Sequence, residues 1–212
     1  MRPGGYQSGV QDMEFDRFVA GLDQPMYVLT VAGTDGGRPS GCLVGFATQC
    51  SIAPRRFLVC LSKANHTYRA SRLVAVAAVH RLGAADRELA VLFGTETGDE
   101  VDKFEQCEWF DGPDGVPILA RCQGWLVGSI DARLDLGDHE GLLLHPTHAG
   151  PSEGGEPILA RCQGWLVGSI DARLDLGDHE GLLLHPTHAG PSDGGEPLMS
   201  SAVTDLDAGH PA

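Results

Sequence analysis

The chain has 212 residues, enough for one domain or one domain with an appendage. With 42% hydrophobic and 21% charged residues it has ordinary globular composition, which excludes wholesale disorder. Against 29 Asp and Glu there are 15 Lys and Arg, a formal charge of -14 that leaves no basic face for a nucleic-acid backbone or an anionic membrane.

Residues 1–12 are Gly-rich and polar and read as a loose tail. Phe15, Phe18, Val19 and Leu22 keep the i, i+3, i+4, i+7 spacing of a one-sided helix, which Pro25 ends. Residues 26–32 (MYVLTVA) and 42–51 (CLVGFATQCS) flank the turn signal TDGGRPSG and predict a hairpin. Residues 56–62 (RFLVCLS) predict a buried strand, 66–72 a short helix, and 73–79 (LVAVAAV) another buried strand. Asp86 caps a predicted helix to Phe93, and the acidic run from Asp99 to Lys103 reads as a solvated helix start. Strands follow at 118–121, 125–134 and 140–144. Many short strands with few helices predict a mainly β fold, an antiparallel barrel with flanking helices. A doubly wound sheet does not fit, and no GxGxxG sits between strand and helix.

Residues 117–156 recur at 157–196 with 39 of 40 positions identical, Glu153 against Asp193 being the difference. Repeat architectures keep a pattern while their details diverge, and they need three or more units. Two near-identical copies read instead as a tandem duplication within one domain. We therefore divide the chain into an N-terminal tail at 1–12, a barrel domain at 13–156, a supernumerary copy at 157–196 and a C-terminal tail at 197–212. The short turn before copy 1 favours that copy as the one completing the barrel.

No apolar run approaches the ~18–20 residues that span a bilayer, and the first twelve residues lack the apolar centre of a secretory signal. Six cysteines, at 42, 50, 60, 107, 122 and 162, include no CxxC pair, the pattern of a reduced, cytoplasmic protein without a disulfide framework or a zinc site.

The stretch 40–51 (SGCLVGFATQCS) is the most unusual. Gly41 and Gly45 allow close backbone approach, and Thr48, Gln49 and Ser51 offer hydrogen bonds to a polar heterocycle. Lys63, Asn65, His66 and Thr67 fall at a strand end and helix start, where an anion such as phosphate is stabilised; a kinked strand followed by an ordinary N-cap is the plainer alternative. Asp138, His139, His145 and His148 lack the helical spacing of a zinc site, so no metal is expected. Cys50 has no general-base partner in sequence, and Trp125 reads as core.

Taken in order, GCLVGFATQCSIAP, FLVCLSKANHTY, LFGTETGDEVDKF and the LGDH at 136–139 resemble the flavin reductase-like family. The resemblance implies an FMN-binding split β-barrel of antiparallel Greek-key type, usually a homodimer. It implies isoalloxazine and ribityl contacts, many through backbone, from Cys42, Leu43, Val44, Gly45, Phe46, Ala47, Thr48 and Gln49. It implies a flavin phosphate near Ser62, Lys63, Asn65 and Thr67. It further implies FMN, or FAD, as cofactor, NADH or NADPH as electron donor, His139 at the nicotinamide, and a monooxygenase component receiving reduced flavin. A non-catalytic FMN- or haem-binding split barrel is the alternative. Where many members carry Thr or Ser before the Phe, this chain has Leu43, Val44 and Gly45, and a single Pro54 follows Ala53.

Overall fold

A computed structural model describes residues 8–20, 22, 24–34, 37–150 and 165–190. They fall into two compact units. One comprises Pro25–Ile158 together with the short segment Leu176–His179; the other comprises Met1–Gln24, Leu159–Asp175 and Glu180–Ala212.

The first unit holds a seven-stranded sheet of β1 (Tyr27–Val31), β2 (Ser40–Val44), β3 (Ala47–Ser51), β4 (Arg56–Ser62), β5 (Val76–Arg81), β8 (Gly124–Asp135) and β9 (His139–Gly150). The strand order is β2-β1-β5-β8-β9-β4-β3, and every pair is antiparallel. Its helices are α2 (His66–Ser71) and α3 (Arg87–Thr95), and a two-stranded ribbon pairs β6 (Trp109–Asp111) with β7 (Pro117–Leu119).

The two edge strands, β2 and β3, are consecutive in the chain and joined by Gly45 and Phe46 alone. Seven strands laid flat would separate their edges by about 29 Å. Three Cα steps reach at most about 11 Å. The sheet is therefore rolled, with its seam between β2 and β3, and Cys60 N–H donating to Phe46 C=O at 2.9 Å ties the connector to β4.

Alternate residues fill the inside: Leu29 and Val31 of β1, Cys42 and Val44 of β2, Val59 and Leu61 of β4, Ala77 and Val79 of β5, Leu142 and Leu144 of β9. On the other face of β1, Val28 packs with Leu82, Leu89, Phe93, Phe104 and Leu119. β1 is thus covered on both faces.

Several predicted bounds shift. CLVGFATQCS is not one strand, because the connector breaks it and sends its halves to opposite edges of the sheet. The strand predicted at 73–79 is β5 at Val76–Arg81, since Leu73 and Val74 still bond back to the last turn of α2. The run from Asp99 to Lys103 is not wholly solvated: Asp102 caps Phe104 N–H and Lys103 is buried.

Copy 1 of the repeat supplies β7, β8 and β9. The β8–β9 pairing shifts register between Val127 and Gly128 and between Ile130 and Ala132. At the first shift a Cβ on Gly128 would lie 2.9 Å from His145 O and 3.1 Å from Leu144 Cβ. Gly128→Ala therefore pushes the two central strands apart and lowers stability by about 1–3 kcal/mol, measurable by urea unfolding.

In the second unit, α1 (Ser8–Ala20) packs with the hairpin of β10 (Trp165–Asp175) and β11 (Glu180–Gly190). The helix begins inside the segment read as a tail and ends before Leu22. The strands β10 and β11 pair with each other in a separate two-stranded sheet. Their register repeats that of β8–β9, with both irregularities at the equivalent residues. The remainder of the predicted tails and of 157–196 lies outside the described residues.

Candidate functional site

The connector, the end of β4 and the β8–β9 turn meet around Phe46, just before β3 begins. Ser62 of β4 lies opposite His139 in register. Lys63 N–H donates to Asp138 C=O at 2.9 Å. Lys63 Nζ donates to Asp135 Oδ1 at 2.7 Å and to Gly137 C=O at 2.5 Å. Gly137 has φ +100°, a conformation that glycine takes without strain and that lets the turn close tightly. The hydrogen bond from Lys63 holds the Asp135 carboxyl below the usual carboxylate range, and the same bond raises the Lys63 amine.

The Phe46 and His139 rings stand 5.4 Å apart, centroid to centroid, at 58°. Phe46 is 62% exposed, unusual for a side chain of its size. His139 Nδ1 lies 2.8 Å from Asp138 Oδ1. An ionised carboxylate only accepts, so Nδ1 carries the proton and Nε2 of the neutral ring is left as an acceptor. The bond from His139 lowers the Asp138 carboxyl.

Beyond Phe46, β3 pairs among the described residues with β4 alone, so its outer edge offers backbone N–H and C=O groups in alternation. Thr48 and Gln49 are exposed there, and Ala47 and Gly45 are half-buried. The structure thus brings Gly45, Phe46, Ala47, Ser62, Lys63 and His139 together.

The remaining predicted residues sit elsewhere. Cys42 and Val44 face the barrel interior, and Leu43 packs with the cluster around Phe93, so their side chains are core. Burial pushes the Cys42 thiol up to about 11. Asn65 Oδ1 accepts Thr67 N–H at 2.9 Å and caps α2. Thr67 is 1% exposed and its hydroxyl bonds that of Ser40 at 2.9 Å. Burial raises the Cys50 thiol. His145 Nδ1 lies 2.7 Å from the Arg56 guanidinium.

A separate cavity of about 260 Å³ is lined by Arg38, Ser40, Gly41, His66, Asp102 and Lys103, among others. Sequence reasoning placed Lys103 in a solvated helix start, whereas it is 5% exposed. Its Nζ donates to Gly41 C=O at 3.2 Å and Phe93 C=O at 3.3 Å, and burial lowers its pKa. At the cavity's border Asp99 takes hydrogen bonds from Arg69 and His66, which hold its carboxyl down to about 2.

The family model described as "Flavin reductase like domain" matches residues 19–150. The chain belongs to the flavin reductase-like family. The matched span takes in the whole β3 edge, Phe46, Lys63, His139 and copy 1 of the repeat up to Gly150, and it ends before copy 2. Among curated members, the stachydrine N-demethylase reductase subunit Stc3 of Rhizobium meliloti is 28% identical over 116 residues, covering 54% of this chain and 49% of that protein. The FMN reductase (NADH) RutF of Klebsiella pneumoniae is 29% identical over 121 residues, covering 55% of this chain and 71% of that protein. The chain thus spans about half the length of the first of these relatives. Among solved structures, the flavin reductase domain protein from Arthrobacter sp. FB24 superposes with TM-score 0.59 at 26% identity, covering 68% of this chain and 88% of that one. The Streptomyces globisporus NADH:FAD oxidoreductase SgcE6, in complex with NAD and FAD fragments, superposes with TM-score 0.63 at 25% identity, covering 74% and 92%. These superpositions show that the chain shares its fold with both structures. Among the described residues no helix is long and apolar enough to cross a membrane.

Proposed function

We propose that this chain is an NAD(P)H-dependent flavin reductase, homodimeric and cytoplasmic, that takes FMN or FAD and supplies reduced flavin to a partner monooxygenase. The observation that carries the reading is the exposed Phe46 ring beside His139 at the open edge of β3, inside the family-matched span. Relatives named as an NADH-dependent FMN reductase and as the reductase subunit of an N-demethylase support the activity and the kind of partner.

The residues present fit a flavin. Its ring edge alternates hydrogen-bond donors and acceptors, as does the free backbone edge of Ala47–Gln49. Thr48 and Gln49 add side-chain partners, and Phe46 provides an apolar surface for stacking. For the phosphate, Lys63 and Ser62 are the accessible groups, with the Asn65 amide nitrogen beside them in sequence. Thr67 and the Asn65 carbonyl act one step back, by shaping the start of α2. When bound, the flavin supplies the hydride acceptor and the reduced nicotinamide the hydride. Asp138 holds the His139 proton on Nδ1, so Nε2 accepts from a carboxamide N–H and orients that ring.

His139→Ala lowers kcat/KM for the reduced nicotinamide by about tenfold to a hundredfold, mostly through orientation, while flavin Kd moves by no more than about twofold. Asp138→Asn costs far less, about threefold, because Asp138 is solvent-exposed and an Asn carbonyl still accepts from Nδ1. The activity itself is tested anaerobically, by mixing the chain with FMN or FAD and then with NADH or NADPH. Enzyme-dependent bleaching of the visible flavin band supports the reductase. A perturbed flavin band that neither nicotinamide bleaches gives the binding-protein alternative instead.

A further inference from the structure

The repeat places the same turn, Leu-Gly-Asp-His, in two environments within the first unit. In copy 1 the Asp138 side chain is 90% exposed and bonds His139. In copy 2 the Asp178 side chain is 17% exposed and meets the turn between β3 and β4. Ser51 Oγ lies 2.5 Å from Asp178 Oδ1. Ile52 N–H donates to Oδ1 at 3.1 Å and Oδ2 at 3.3 Å, and Ala53 N–H donates to Oδ2 at 2.9 Å. The Asp178 amide reaches back to Ser51 Oγ at 3.4 Å, and His179 Nδ1 lies 2.7 Å from Oδ1.

This is a built receptor. Ser51 is 1% exposed, and its one hydroxyl proton is shared between the Asp178 carboxylate and Pro54 C=O. The two successive N–H groups lie past the last paired residue of β3 and are not spent on the sheet. Successive backbone N–H groups at a turn form a concavity for an anion. The approach is close: Leu176 is buried, and a Cβ on Gly177 would lie 2.7 Å from Ser51 Oγ and 3.2 Å from Pro54 Cδ. Gly177 therefore admits the turn where any larger residue would hold it off. The donors of Ser51, His179, Ala53 and Ile52 keep the Asp178 carboxyl well below the usual carboxylate range.

We propose that Ser51 Oγ and the N–H groups of Ile52 and Ala53 form an oxyanion-binding nest on the barrel, and that the Asp178 carboxylate of copy 2 fills it as an internal ligand. The chemistry recognised is a planar or tetrahedral oxyanion, carboxylate or phosphate, held by one hydroxyl and two backbone amides. The turn of copy 2 is thereby fastened to the barrel by a contact that the identical Asp138 does not make. The nest ends the β3 edge, so its occupancy steadies the strand on which Thr48 and Gln49 sit.

The test uses the full-length chain, with the amide resonances of Ile52 and Ala53 followed by NMR during titration with inorganic phosphate. In the wild type both amides are slow to exchange and unmoved by phosphate, because Asp178 occupies the nest. In Asp178→Ala, which removes the side chain from the nest, their exchange quickens roughly tenfold or more, as expected for loss of charge-assisted hydrogen bonds, and phosphate shifts both resonances saturably. Ser51→Ala added to Asp178→Ala weakens that phosphate response, and Asp138→Ala leaves both amides as in the wild type. If Asp178→Ala fails to fold, Ser51→Ala alone reports on the same two amides and quickens their exchange. Unchanged exchange in both Asp178→Ala and Ser51→Ala overturns the internal ligand. An Asp178→Ala chain whose amides are freed but ignore phosphate overturns the nest as an oxyanion site.

Discussion

Acidification from pH 7 to pH 4 removes about 3 kcal/mol of stability through His80 alone. The residue is fully buried on β5. Its Nδ1 donates to Val28 C=O at 3.0 Å, and its Nε2 accepts Leu119 N–H at 3.2 Å. Both ring nitrogens are thus used in the neutral form, and protonation would turn the acceptor into a second donor facing Leu119 N–H. Burial lowers the His80 pKa to about 4, against 6.5 for a free imidazole. The folded state therefore binds its proton later than the unfolded state. The contribution is complete above about pH 6.5 and fades as pH falls through the interval to about 4. Asp99, held down to about 2, is lost only below that window, so the two are separable. Urea unfolding at several pH values checks this directly. His80→Gln flattens the dependence between pH 6.5 and 4, and a variant with unchanged pH dependence contradicts the assignment.

Replacing Lys103 by Met lowers stability by about 2–4 kcal/mol. Lys103 is 5% exposed, and its ammonium binds two carbonyls, Gly41 O and Phe93 O, under the Phe93 ring at 5.6 Å. Those carbonyls belong to β2 and to α3, so one side chain ties the seam strand to the helix that covers it. Methionine fills the space but cannot donate to either carbonyl, and it removes the cation from the ring face. The loss is read as a lower urea midpoint with an unchanged slope.

The apolar run at 56–62 announced β4, and the alternation at 125–134 announced β8, because both strands are at least partly buried along most of their length and burial is what hydrophobic pattern reports. The hairpin following Trp125 is written locally, since the same forty residues make the same bulged hairpin in both copies, in two separate sheets. What sequence concealed is long-range. Nothing local in CLVGFATQCS says that Gly45 and Phe46 divide a pair of strands at opposite edges of a rolled sheet. For the same reason nothing local says that the side chains of Cys42 and Val44 turn into the barrel, which leaves only their backbone for the contacts the resemblance implies. Thr67 and Asn65 read as phosphate donors, and a cap bond and the Ser40 hydroxyl absorb them. His80 and Lys103 carried no local signal of their bonding, because their partners lie far off in the chain at Val28, Leu119 and Gly41. Phe46, Lys63 and His139 are far apart in sequence, and the rolled sheet is what brings them together.

The flavin's position on the β3 edge is the central claim, and amide hydrogen exchange of the full-length chain with and without FMN tests it most directly. We predict protection at residues 45–49, on the β3 edge and its connector, and at 136–139 in the β8–β9 turn. Protection confined to the cavity lined by Arg38, His66 and Lys103, with residues 45–49 unchanged, would contradict it.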